Sequence, residues 1–143
     1  MKTKTIIDRL KAQCTSLGGR VAGAAALAQA MEYAADWTVP AAFVVPLSEE
    51  TAPNALVGDT QAQNVVIEFG VAALVSNASD EPGFTAAEAV VDLFAEVRAA
   101  LCGWPDDGSM APINYVSGQL GDFDRARLWW EWRFSTEELR VEG

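Results

Sequence analysis

Arg127-Leu128-Trp129-Trp130-Glu131-Trp132-Arg133-Phe134 places Leu128, Trp130, Trp132 and Phe134 at one parity and Arg127, Trp129, Glu131 and Arg133 at the other. Successive side chains of a strand point to opposite faces, so this alternation predicts a half-buried strand. The even residues read as core. The odd face carries charge, and Trp129 among those charges predicts an aromatic on a water-facing surface that another chain covers. Trp129, Glu131 and Arg133 are therefore candidate interface residues.

Just upstream, Ile113–Leu120 and the turn Gly121-Asp122-Phe123-Asp124 make a hairpin with Arg127–Leu139. Farther back, Gln61–Val75 repeats Val65, Ile67, Phe69, Val71, Ala73 and Val75 at alternate positions. Its length exceeds that of a usual strand, and Gly70 is predicted to mark a bulge or bend. Thr85 and Glu88 have the spacing of a capping box, and Val90, Val91, Phe94, Val97 and Leu101 follow at helical spacing until Gly103-Trp104-Pro105. This helix should cover the sheet, with Phe69 and Phe94 each buried against the other's element.

The N-terminal half opens with a helix over Thr5–Leu17, striped by Ile6, Ile7, Leu10, Cys14 and Leu17 and stopped by Gly18-Gly19. Arg20–Gly23 reads as a brief strand, Ala24–Tyr33 as a second helix, and Ala41–Val45 as a buried strand bracketed by Pro40 and Pro46. Leu47–Gly58 is polar and turn-forming, which predicts a long exposed loop; Glu49, Glu50 and Asn54 within it are candidate contacts. The order of elements predicts an α+β fold. Residues 1–143 are expected to form a single domain, a mostly antiparallel β-sheet of four to five strands with helices packed on it.

A chain of 143 residues with 50% hydrophobic content suits one core that buries roughly 70% of the unfolded surface. The first residues, MKTKTIIDRL, carry charge where a signal peptide is apolar, and no apolar run approaches the ~20 residues that span a bilayer. We expect a soluble chain with no membrane partner. The net charge of −10 is uneven: Lys2, Lys4, Arg9, Lys11 and Arg20 oppose Asp8 alone in residues 1–20, a balance of +4, so residues 21–143 carry −14. Between Val21 and Val97 there is no Lys or Arg. Such a body repels nucleic acid, so sequence-specific nucleic-acid binding is not expected. The plainer meaning of this charge is solubility. The functional meaning is head-to-tail association, a basic helix on one subunit meeting an acidic flank on the next, with Arg9 and Lys11 as candidates off the apolar stripe.

Chemistry finds little support. The chain has no histidine, which removes Ser-His, Cys-His and His-ligated metal mechanisms. Cys14 and Cys102 lack the CxxC spacing and read as reduced packing cysteines. Asp122 with Asp124, and Asp106-Asp107, lack the other ligands of an EF-hand loop and suit ordinary turns. No catalytic residue, metal site or cofactor is expected, and the chain does not read as an enzyme.

Several segments, taken in order, resemble the tail terminator (tail completion) proteins of long-tailed bacteriophages. They are PAAFVVPL at Pro40–Leu47, the polar loop with Pro53-Asn54, VVIEFGVAALVSN from Val65, ALCGW at Ala100–Trp104, and the closing GQLGDFDRARLWWEWRFSTEEL. The resemblance covers nearly the whole chain and is specific as an ordered pattern, each piece alone being weak. It implies a small α+β domain whose homo-hexameric ring caps the finished tail tube, ends polymerisation and offers a surface for head-tail joining. The implied partners are the tail tube protein and the head-tail connector protein. The implied location is the head-proximal end of the virion tail, after assembly in the host cytoplasm. An acidic lumen would suit passing DNA. The alternatives are a head-tail connector or tail-tube-like subunit, and a small acidic host-directed binding protein.

Overall fold

The computed structural model describes residues 2–51, 55–57, 60–76, 84–105, 111–123 and 127–142. Asn54, Asp106-Asp107, Asp124 and the turn over residues 77–83 lie outside the described residues. The fold is α+β, one mostly antiparallel sheet with helices on both faces.

Helix α1 (Thr3–Gln13) stops earlier than its apolar stripe. Cys14 leaves helical geometry and a 3-10 turn, Thr15–Leu17, carries the stripe onward before Gly18, at φ 55°, caps it in the left-handed region. Ile6, Leu10, Cys14 and Leu17 are all buried, so the stripe was legible although the helix divides. Strand β1 (Val21–Ala22) runs parallel to β2 (Ala41–Thr51). Between them lies α2 (Ala24–Glu32), followed by a 3-10 turn at Ala34–Asp36.

Strand β2 corrects the expected loop. It passes through Pro46 to Thr51, and β3 (Ala55–Val57) follows, so Glu49 and Glu50 are strand residues. The proline is accommodated at an irregularity: Pro46 faces Phe69 and Ser48 faces Glu68, leaving Leu47 as the extra residue of a bulge. The expected bulge is therefore on β2 and not at Gly70. Strand β4 (Thr60–Ser76) keeps an unbroken register with β6 (Arg127–Glu142), from Gln61 opposite Glu142 to Ser76 opposite Arg127. Gly70 serves the bulge from across the ladder, since a Cβ there would sit 3.3 Å from Leu47 Cδ1.

Helix α3 (Phe84–Leu101) crosses the sheet, and β5 (Asn114–Phe123) completes the order β1-β2-β4-β6-β5, with β3 paired to β4. Val90, Leu93, Val97, Ala100 and Leu101 form the buried stripe of α3. Val91 does not belong to it, being 66% exposed. Phe69 is buried in the core that α3 covers and stacks on Phe134 at 5.6 Å, whereas Phe94 is only half-buried against the sheet and stacks on Trp132 of the last strand at 5.1 Å.

The core has two parts because the sheet is covered on both faces. The larger joins α1, α3 and the inward residues Val71, Ala73, Trp132 and Phe134. The smaller holds Ala30, Ala41, Phe43, Ala72, Leu74 and Trp129. Trp129 is thus a correction: it is 8% exposed and packs on Phe43 with ring centroids 5.6 Å apart. Trp37 closes edge-on over Phe43 at 5.3 Å, and Arg127 donates hydrogen bonds to the carbonyls of Ala34 and Trp37, holding that segment on the sheet. The chain's own α2 segment provides the cover that alternation alone assigns to another chain.

Candidate subunit interface

The register lays out the α2 face of the sheet as rows across β2, β4 and β6. Ala41–Leu74–Trp129 and Phe43–Ala72–Glu131 come first, then Val45–Gly70–Arg133, then Ser48–Glu68–Ser135, and last Glu50–Val66–Glu137. The face runs from apolar beneath α2 to polar and acidic beyond it. Glu131 and Arg133 sit where the change occurs. Arg133 lies 3.8 Å from the Glu68 carboxylate, Glu131 accepts a hydrogen bond from Gln119 at 3.2 Å, and the Ser48 hydroxyl donates to Glu68 at 3.5 Å. Glu50 and Glu137 are exposed beyond that pair. Exposed pairs of this kind contribute only about 0–1 kcal/mol to folding, so they define a surface more than they hold the fold.

Glu49 is paired opposite Ile67, which places it on the other face from Glu50. Neighbours in sequence therefore do not act as one patch.

Arg9 and Lys11 belong to the α1–α3 layer on the opposite face, and they differ. Lys11 is exposed, as are Lys2 and Lys4. Arg9 is half-buried: its Nε donates to the Ala100 carbonyl at 3.0 Å, and its guanidinium lies 5.1 Å from the Trp104 ring centroid. Arg9 therefore ties α1 to the end of α3. Glu96 makes a second tie, accepting hydrogen bonds from the Ser16 backbone N–H at 3.1 Å and the Thr15 hydroxyl at 3.4 Å. Hydrogen bonding from Ser16, with help from Thr15, holds the Glu96 carboxyl below the usual glutamate range. Burial first, and the charge of Glu96 second, push the Cys14 thiol up to about 11. Both cysteines are free.

The structure thus brings Trp129, Glu131 and Arg133 onto one face, with Trp129 covered, and sets Arg9 and Lys11 on the other. Sequence reasoning missed a further surface. Val90, Val91, Phe94, Tyr115, Leu128 and Trp130 line an open groove of about 400 Å³ between α3 and the β5–β6 hairpin. Its signal was present in Val91, a second valine beside Val90 that one helical stripe has no room to bury. Among the described residues no group of three or more His, Cys, Asp or Glu side chains is placed to hold a metal ion, and no helix is long and apolar enough to cross a membrane.

A family model described as "Phage tail terminator protein" matches residues 1–141. Comparison with curated proteins finds no match. Among solved structures, a chain from the "Virion of native gene transfer agent (GTA) particle" aligns with a TM-score of 0.55 at 18% identity. The alignment covers 96% of this chain and 92% of that one. At that identity the likeness speaks to the fold.

Proposed function

Because the chain belongs to the phage tail terminator protein family and is a structural protein of tail assembly, we propose that it caps the completed tail tube as a homo-hexameric ring. In that role it ends polymerisation and presents the surface on which the head-side connector docks, at the head-proximal end of the tail. The observation that carries this reading is the family match across residues 1–141. The distribution of charge supports it. A ring of identical subunits needs two different, complementary surfaces on each chain. Here exposed Lys2, Lys4 and Lys11 cluster along α1 on one side of the sheet, with Asp8 and Asp92 exposed in the same layer, and Glu50, Glu131 and Glu137 are exposed on the other, with Arg133 among them. An acidic body also suits the wall of a channel that must pass DNA without binding it.

The test is electron microscopy of particles assembled without this protein. Tails of irregular, often excessive length that fail to join heads are expected; tails of normal length joined to heads would reject the reading.

A further inference from the structure

The groove between α3 and the β5–β6 hairpin is a gap in the helical cover. On that face α1 packs against β1 and β2 and α3 against β4, while Phe94 of α3 reaches over the last two strands, onto Tyr115 at 4.9 Å and Trp132 at 5.1 Å, and leaves the apolar side chains beside it partly open. Val91 is 66% exposed, Leu120 47% and Tyr115 37%. Contiguous apolar surface rimmed by polar residues marks a site that another macromolecule covers.

The same chain carries a surface that matches it. Helix α2 has no charged residue from Ala24 to Met31, and Ala24, Ala25, Ala28 and Met31 are exposed on its outer side, Met31 at 60%. Alanines allow close approach, and methionine adapts to an irregular wall. Glu32 follows Ala28 by four residues and so lies one turn along that outer face. On the groove side, Arg98 follows Phe94 by four residues and Val91 by seven, and is exposed on the same face of α3. A single copy cannot join these surfaces, because α2 and the groove lie on opposite faces of the sheet and near opposite edges.

We propose that α2 of a second copy fills the groove between α3 and the β5–β6 hairpin, with Glu32 of that copy meeting Arg98. The contact is heterologous, and repeated subunit to subunit it closes a ring when the rotation permits. It rests on the capping-ring reading and adds the surfaces by which subunits join.

Sedimentation of the purified chain over a concentration series tests it, with Val91→Glu and Ala28→Glu as variants at exposed positions. Each variant should weaken association at least tenfold while melting as the wild type does. An equimolar mixture should recover a heterodimer and nothing larger, because one intact groove and one intact α2 remain between the two chains. Should either variant fold poorly, Glu32→Arg and Arg98→Glu replace them: each alone weakens association and the pair restores it. A wild-type chain that stays monomeric up to about 1 mM would overturn the proposal. So would an oligomer sensitive to Val91→Glu and indifferent to Ala28→Glu, or one indifferent to both. The tail-length phenotype of particles lacking the protein reports on capping independently, so tails that remain capped by an oligomer indifferent to both variants would remove this contact alone.

Discussion

The guanidinium of Arg9 lies 5.1 Å from the centroid of the Trp104 ring, joining the first helix to the turn that ends α3. With the hydrogen bond from its Nε to the Ala100 carbonyl, this contact makes Arg9 part of the folded subunit. The neighbouring cation, Lys11, has a different environment, exposed on α1.

Arg9→Ala is expected to destabilise the monomer by about 1–2 kcal/mol, the sum of one hydrogen bond and one cation–π contact. Lys11→Ala should stay within about 0.5 kcal/mol of wild type. Urea unfolding of the two variants under identical conditions decides the matter. Equal stability of both would mean that Arg9 is as free as Lys11.

Trp129 and Phe134 report the two halves of the core. Phe134 is fully buried and stacks on Phe69, while Trp129 packs on Phe43 beneath the α2 segment. Either residue changed to Ala should cost about 3–5 kcal/mol, enough to unfold a domain of ordinary marginal stability. An unchanged melting temperature for Trp129→Ala would restore it to the surface and to the role of an interface residue.

These positions show what the sequence made legible. Alternation in Arg127–Phe134 and Val65–Val75 assigns each side chain to a face, and the register confirms those faces. Alternation does not say whether a face is covered. Trp129 shows this, since it is buried in a cluster with Phe43 and Ala30 that Trp37 packs against, all far away in the chain. Pro46 predicts a strand end because proline usually breaks a ladder. The bulge at Leu47 and the space above Gly70 let the strand continue. At the candidate interface, alternation puts Glu131 and Arg133 on one strand face, and the register has them there. The engagement of Arg9 with Trp104 and the groove beside Val91 depend on how α1 and α3 pack, which local spacing does not encode.

The two thiols should differ sharply in reactivity. Cys14 is buried with its thiol pushed up to about 11, whereas Cys102 is only partly buried. Thiolate is the reactive form. A thiol reagent at neutral pH should therefore label Cys102 first, with Cys14 labelled on the timescale of unfolding. Peptide mass mapping after a time course provides the measurement. Labelling of Cys14 in the folded protein as fast as that of Cys102 would show that the junction between α1 and the Thr15–Leu17 turn opens readily.

Glu96 gives stability a pH dependence of definite sign. Its carboxyl is held below the usual range in the folded chain by hydrogen bonds from Ser16 and Thr15. A depressed folded value means that the unfolded chain takes up the proton first as pH falls. The contribution is therefore complete above the ordinary glutamate value of about 4.3 and lost as pH descends from there through the folded value. Glu96→Gln keeps an oxygen acceptor and removes the charge. The stability difference between wild type and this variant should be largest near neutral pH and shrink through that acid window. Urea unfolding of both chains at a series of pH values measures it. A difference that is flat across the window, or that grows toward acid, would show that the charge on Glu96 does not hold the turn to α3.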